Sequence, residues 1–155
     1  MATTQPPIPM SILVIDDDPT IRQTLQTYLS DRNHGVHLAA DGPQGLDLLQ
    51  RETIDIVISD VSMPGMDGFE LAMSIKGDPQ LSHIPIALHS NVFTDAKDRL
   101  LAEAIGVVRL IDKSIASDEL RQQINELVDT QHHAADGQFD EDKFLRMRAN
   151  VLGDK

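Results

Sequence analysis

The sequence predicts an α/β fold: a doubly wound, five-stranded parallel sheet with helices on both faces. Three observations carry this. Short apolar runs alternate strictly with amphipathic segments, five of each, between residues 11 and 130. The clearest runs are continuous in Ile, Leu and Val, as strands buried on both faces must be. Helix-start signals punctuate the chain between them.

Ser11-Ile-Leu-Val-Ile-Asp16 reads as the first strand, an apolar run ending in acid. Asp18 and Pro19 then supply an N-cap and a first helical residue. Ile21, Leu25, Tyr28 and Leu29 follow at helical spacing, giving that helix one inward face. Val36 to Ala40, entered through Gly35, is the second strand, and Gly42-Pro43 opens a second helix with Leu46 and Leu49 inward. Thr53 to Ser59, rich in β-branched residues and running into Asp60, is the third strand. Asp67-Gly68 starts a third helix carrying Phe69, Ala72 and Met73, which Gly77-Asp78-Pro79 ends. Ile84 to Ser90 is the fourth strand, and Thr94 caps a helix with Leu100, Leu101 and Ala104. Gly106 to Ile111 is the fifth strand, and Ser117 caps a last helix with Leu120, Ile124, Leu127 and Val128.

Three segments follow from this order. Residues 1–10, Pro-rich and polar, read as a flexible leader, and 11–130 as the folded domain. Residues 131–155 read as a linker and a short C-terminal helix from Glu141 to Leu152. Phe144, Met147, Val151 and Leu152 share one face of that helix, a docking surface for this domain or for a partner.

Composition removes several classes of function. A net charge of −12 is the wrong sign for a phosphate-backbone binder or for anchorage on an anionic membrane. The absence of cysteine excludes disulfides, thiolate metal sites and cysteine nucleophiles. No apolar stretch approaches membrane-spanning length, and the first residues lack the basic start and apolar run of a secretory signal, so the expected location is the cytoplasm. With four Phe, one Tyr and no Trp, the core must be built from aliphatic residues.

In a doubly wound sheet the ligand site lies at the carboxyl ends of the strands. Strand one ends in Asp16-Asp17, strand three in Asp60, strand four in Ser90, and strand five runs into Asp112-Lys113. Two carboxylates about 4 Å apart repel by about 4 kcal/mol at an effective dielectric of 20, and nothing in a purely structural protein requires that. A divalent cation removes the repulsion, and an all-oxygen site meant for phosphate favours Mg²⁺. On this reading Asp60 is a nucleophile that forms an aspartyl phosphate, with Lys113 on a phosphoryl oxygen. Asp18 by itself is an N-cap. His132-His133 is a solvated pair in the linker, and His89, which strand alternation turns away from Ser90, is packed and not a ligand.

These segments resemble the response-regulator receiver family over roughly residues 10–130. Ile12-Leu-Val-Ile-Asp-Asp-Asp-Pro19 resembles its first-strand acidic motif, and Ile56-Val-Ile-Ser-Asp-Val-Ser-Met-Pro-Gly-Met-Asp-Gly68 its phosphoacceptor segment almost position for position. Ile84-Pro-Ile-Ala-Leu-His-Ser90 resembles the fourth strand with its switch residue, and Gly106 to Lys113 keeps the fifth-strand spacing. The resemblance implies a flavodoxin-like (βα)5 sheet of order 2-1-3-4-5. It implies that Asp17, Asp60 and the backbone carbonyl of Ser62 bind Mg²⁺ directly, Asp16 mostly through water, and that Ser90 bonds the phosphoryl group once formed. It also implies a sensor histidine kinase or histidine phosphotransfer protein as donor, catalysis limited to the domain's own phosphorylation and dephosphorylation, and output by contact with a downstream protein target. Homodimerisation is left open. Three residues depart from the pattern: Ser114 where a proline usually follows the lysine, Leu110 where many members carry an aromatic, and Asn91 in place of a small residue. A Ser90–aromatic coupling therefore cannot operate here.

Two rival readings also fit parts of the sequence. Asp16-Asp17-Asp18-Pro19-Thr20 also fits the start of a haloacid-dehalogenase phosphatase, with Asp16 as nucleophile and Asp18 as general acid, but this leaves Asp60 unexplained. The three departures motivate a receiver-like scaffold that binds partners without phosphorylation.

Overall fold

The computed structural model describes residues 9–90, 96–112 and 117–133. Five strands, β1 (Ser11–Ile15), β2 (Gly35–Ala39), β3 (Ile56–Asp60), β4 (Ile86–Ser90) and β5 (Arg109–Asp112), alternate with five helices. The helices are α1 (Pro19–Ser30), α2 (Gly42–Arg51), α3 (Gly68–Lys76), α4 (Ala96–Ile105) and α5 (Ser117–His133). The strands pair in parallel in the order β2-β1-β3-β4-β5, as expected. Because β1 and β3 lie side by side at the centre, their carboxyl ends are neighbours: Ile15 pairs with Ser59, one residue before each acidic position.

The sheet separates two apolar layers. Ile12, Val14, Ile56, Ile58, Ala87 and Ile111 point to one face, where Leu25 and Leu29 of α1 and Leu120, Ile124, Leu127 and Val128 of α5 cover them. Leu13, Ile15, Val57, Ile86 and Leu88 point to the other, against Leu49 of α2, Leu71 and Ile75 of α3 and Ile105 of α4. Each fully buried Leu or Ile contributes roughly 1.5–3 kcal/mol of transfer free energy, so the aliphatic strands and helix stripes suffice without large aromatics. The sequence reading of α3 named Phe69, Ala72 and Met73. Ala72 is fully buried, together with Leu71 and Ile75, while Phe69 and Met73 pack at the edge of the layer. In α4, Leu100 is half exposed while Ala102, Ala104 and Ile105 are buried.

Local chemistry sets the element ends. Asp18 caps α1 by accepting from the Thr20 N–H at 2.8 Å, ahead of Pro19. Asp67 and Glu70 form a reciprocal capping box at the start of α3. Helix α2 opens on Gly42-Pro43 as expected, and its cap is Asp41, whose side chain takes the Gln44 N–H. Three strands are shorter than expected. β3 starts at Ile56, three residues after Thr53. β4 starts at Ile86 because Pro85 has no N–H to give to the ladder. β5 starts at Arg109 because Gly106 and Val107 terminate α4: Gly106 sits at φ +98, and the Val107 and Gly106 N–H groups close on Ala102 and Glu103 carbonyls. Helix α5 runs through His133, into the stretch read as linker. Thr94 and the segment from 134 to 155 lie outside the described residues.

One buried histidine ties the chain's entry to the sheet. His34 is 5% exposed, and its Nδ1 accepts the Met10 N–H at 3.0 Å, so the imidazole must be neutral with its proton on Nε2. Burial, and then the nearby Arg32 guanidinium, hold its pKa below the ordinary value, while Asp129, ion-paired to Arg32, opposes them. The unfolded chain then binds more protons than the folded one below about pH 6.5. This stability is present in full above that pH and is lost as pH falls through the lowered value. The urea midpoint should therefore fall between pH 7 and 5.5, and the fall should shrink in His34→Gln, whose amide oxygen can still accept from Met10. An identical pH slope in the variant would contradict this assignment.

Candidate functional site

Three carboxylates meet at the carboxyl edge of the sheet. Asp16 and Asp17 follow β1, Asp60 ends β3, and one oxygen from each lies within 4.8 Å of the other two. Asp16 and Asp60 are buried, at 1% and 5% exposure, while Asp17 faces solvent. The strand pairing forces this crowding, since β1 and β3 leave the sheet side by side.

The surrounding backbone fixes these groups. The Asp16 N–H bonds the Ala39 carbonyl at 3.1 Å, extending the β1–β2 ladder by one step. Its Oδ1 accepts the Asp18 N–H at 2.9 Å, and its carbonyl accepts from Arg22 Nη1 at 2.6 Å. Asp60 Oδ1 accepts the Ser62 N–H at 3.3 Å, which curls the chain around the carboxylate after β3. Ser59 Oγ donates to the Asp60 carbonyl at 2.9 Å. The Met63-Pro64-Gly65-Met66 stretch makes a three-residue turn: the Met66 N–H bonds the Pro64 carbonyl at 3.1 Å, with Gly65 between them at φ +85.

Helix α3 then returns against the strand end. The Gly68 N–H bonds the Val61 carbonyl at 2.8 Å. A Cβ on Gly68 would lie 2.9 Å from Val61 Cα and closer still to the Asp60 carbonyl oxygen, so only glycine lets the helix start so near the acidic residue. Gly68 was legible in the sequence as a helix start but not as a packing requirement. Arg22 gave no signal beyond its place on α1.

Ser90 ends β4, is 1% exposed, and pairs in register with Asp112, the last residue of β5. Its neighbour His89 pairs with Asp60 and is buried, in keeping with a packed side chain. Lys113, Ser114 and Asn91 lie outside the described residues. Leu110 is half-buried and pairs with Leu88, so an aliphatic side chain occupies the aromatic's usual place.

An all-carboxylate donor set with a free rim toward solvent suits a hard, oxygen-seeking cation, so the residues present fit Mg²⁺. Asp18, the general acid of the phosphatase rival, is engaged as the α1 cap.

The sequence model of the response regulator receiver domain matches residues 12–125. The chain belongs to the response regulator receiver domain family. It is 30% identical over 133 residues to response regulator Rre1 of Synechocystis sp., covering 83% of this chain and 55% of that protein. It is 32% identical over 134 residues to transcriptional regulatory protein GlrR of Escherichia coli, covering 86% of this chain and 29% of that one. This receiver therefore spans about half of one such relative and under a third of the other. Among solved structures, chemotaxis response regulator CheY4 of Vibrio cholerae superposes with a TM-score of 0.71 at 28% identity, over 77% of this chain and 99% of its own. The receiver family accounts for Asp60 at the end of β3, which the phosphatase reading leaves without a role. Among the described residues no helix is long and apolar enough to cross a membrane.

Proposed function

We propose that this receiver accepts a phosphoryl group on Asp60 and passes the signal on by protein contact from the cytoplasm. The observation that carries the reading is the meeting of Asp16, Asp17 and Asp60 within 4.8 Å, with Asp60 on the strand end that the turn and α3 wrap. Mg²⁺ would be held by Asp17, Asp60 and the Ser62 carbonyl, with Asp16 acting mostly through water. When bound, it would neutralise charge on the transferring group and offset the carboxylate repulsion.

A carboxylate oxygen of Asp60 attacks the phosphorus of a phosphohistidine on a sensor kinase or phosphotransfer protein. A new P–O bond forms as the donor's P–N bond breaks, and the imidazole leaves with the electron pair. The domain's own contribution is to hold Asp60 still and close to its cation-binding neighbours. In dephosphorylation, water attacks the same phosphorus, the P–O bond to Asp60 breaks with its electron pair going to the carboxylate, and inorganic phosphate leaves. Ser90, at the end of β4, would donate its hydroxyl proton to a phosphoryl oxygen, and Lys113 would pair with another. Phosphorylation adds about −1.5 to −2 charges, and these two groups convert that charge into a bias on the β4 and β5 ends. With Leu110 on β5, that bias must reach the surface without an aromatic rotamer.

Incubation of the receiver with Mg²⁺ and a small acyl phosphate should add the mass of one phosphoryl group, and chelation of the cation should prevent it. Intact-mass spectrometry reads both. An unchanged mass with Mg²⁺ present would favour a scaffold that acts without phosphorylation.

A further inference from the structure

We infer that Arg22 is a positioning residue for the cation site, acting through the peptide that joins Asp16 to Asp17; this rests on the proposed reading of that site. Arg22 lies on α1, one turn past the helix start, and is half-buried. Its Nη1 donates to the Asp16 main-chain oxygen at 2.6 Å, a short, charge-assisted bond. That oxygen belongs to the peptide plane from which the Asp17 backbone departs. The same residue is held at its N–H by Ala39 and at its carboxylate by the Asp18 N–H. Arg22 adds an anchor on the carbonyl side of the Asp16–Asp17 peptide and restrains its rotation there.

Chain chemistry explains why an anchor is needed there. β1 ends at Ile15, so past the Asp16 N–H the ladder gives no further support. Asp17 is exposed, so packing restrains it less than the buried Asp16. Two adjacent acids beside a third would swing apart if the peptide between them could turn. A guanidinium bonded to the carbonyl opposes this rotation.

The electrostatic alternative has the opposite sign, which makes the inference decisive to test. If Arg22 acted only through its charge, removing it would relieve repulsion of a bound cation and tighten Mg²⁺ binding. If it acts by orienting the peptide, removing it loosens the site, and groups that orient ligands typically cost about 10- to 100-fold in metal affinity when replaced.

The experiment is a Mg²⁺ titration of the folded protein, followed by amide NMR shifts, on wild type, Arg22→Met and Arg22→Lys. Met keeps the apolar stem but has neither donor nor charge, and should bind Mg²⁺ about 10- to 100-fold more weakly. Lys keeps the charge but falls short of the reach of Nη1, and should lie between. Affinity in Arg22→Met equal to or tighter than wild type overturns the inference, as does wild-type affinity in Arg22→Lys should the Met variant not fold. A wild-type protein that binds no Mg²⁺ overturns the parent reading of the site and this one with it. Weak binding confined to the variants overturns neither and is the result expected.

Discussion

Asp60→Asn should abolish uptake of a phosphoryl group from a small acyl phosphate while leaving the receiver folded. The amide is close in shape to the carboxylate, so the turn after β3 and the Ser62 N–H bond can persist. It lacks the nucleophilic anion, so no acyl phosphate forms. The effect on stability has a sign of its own. With Asp16, Asp17 and Asp60 oxygens within 4.8 Å, each ionised pair repels by at least about 3.5 kcal/mol at an effective dielectric of 20, less where Asp17 meets solvent. Neutralising Asp60 relieves two of these pairs. Without divalent cation the variant should melt at or above the wild-type temperature. Added Mg²⁺ should raise the melting temperature of wild type more than that of Asp60→Asn, because a ligand stabilises only the state that binds it. Labelling of the variant at the wild-type rate would remove Asp60 as acceptor.

The second large effect is expected at a residue with no side chain. Helix propensity alone makes Gly68→Ala stabilising by up to about 1 kcal/mol. Close packing predicts the reverse. A methyl at Gly68 would meet Val61 Cα at 2.9 Å and the Asp60 carbonyl oxygen nearer still, and backbone atoms cannot swing aside as the Leu88 side chain could. Overpacking of this kind costs about 1–3 kcal/mol, which outweighs the propensity gain. The strain falls on the residue that carries the proposed nucleophile, and a displacement near 1 Å can cost about 100-fold in rate. Urea denaturation should show a lower midpoint for Gly68→Ala, and acyl-phosphate labelling should slow. An Ala variant more stable than wild type would show that the α3 start relaxes freely away from β3. Gly45 makes an instructive contrast: an added Cβ there meets only the flexible end of Ile15, so the cost should be smaller.

Much of the fold was legible because its signals are local. Buried parallel strands must be apolar throughout, so Ile12–Ile15 and Ile56–Ile58 announced themselves. Caps are side chains next to the backbone they satisfy, so Asp18 and Asp67 could be read from their neighbours. Element ends were less legible wherever a residue serves two neighbours at once. Gly106 reads as a strand entry in the sequence, but its N–H bonding to α4 makes it the end of that helix.

The sequence by itself determined the alternation of five strands and five helices, the aliphatic core, and which acids stand at strand ends. It could do so because periodicity, propensity and capping act within a few residues of chain. Only the tertiary structure decided how near those acids come, that Asp16 and Asp60 are buried while Asp17 is not, that Gly68 must lack a side chain, and that Arg22 grips the Asp16 carbonyl. Distances between residues 44 positions apart depend on the lateral pairing of β1 with β3, and no local pattern encodes a contact that exists only once two strands lie side by side.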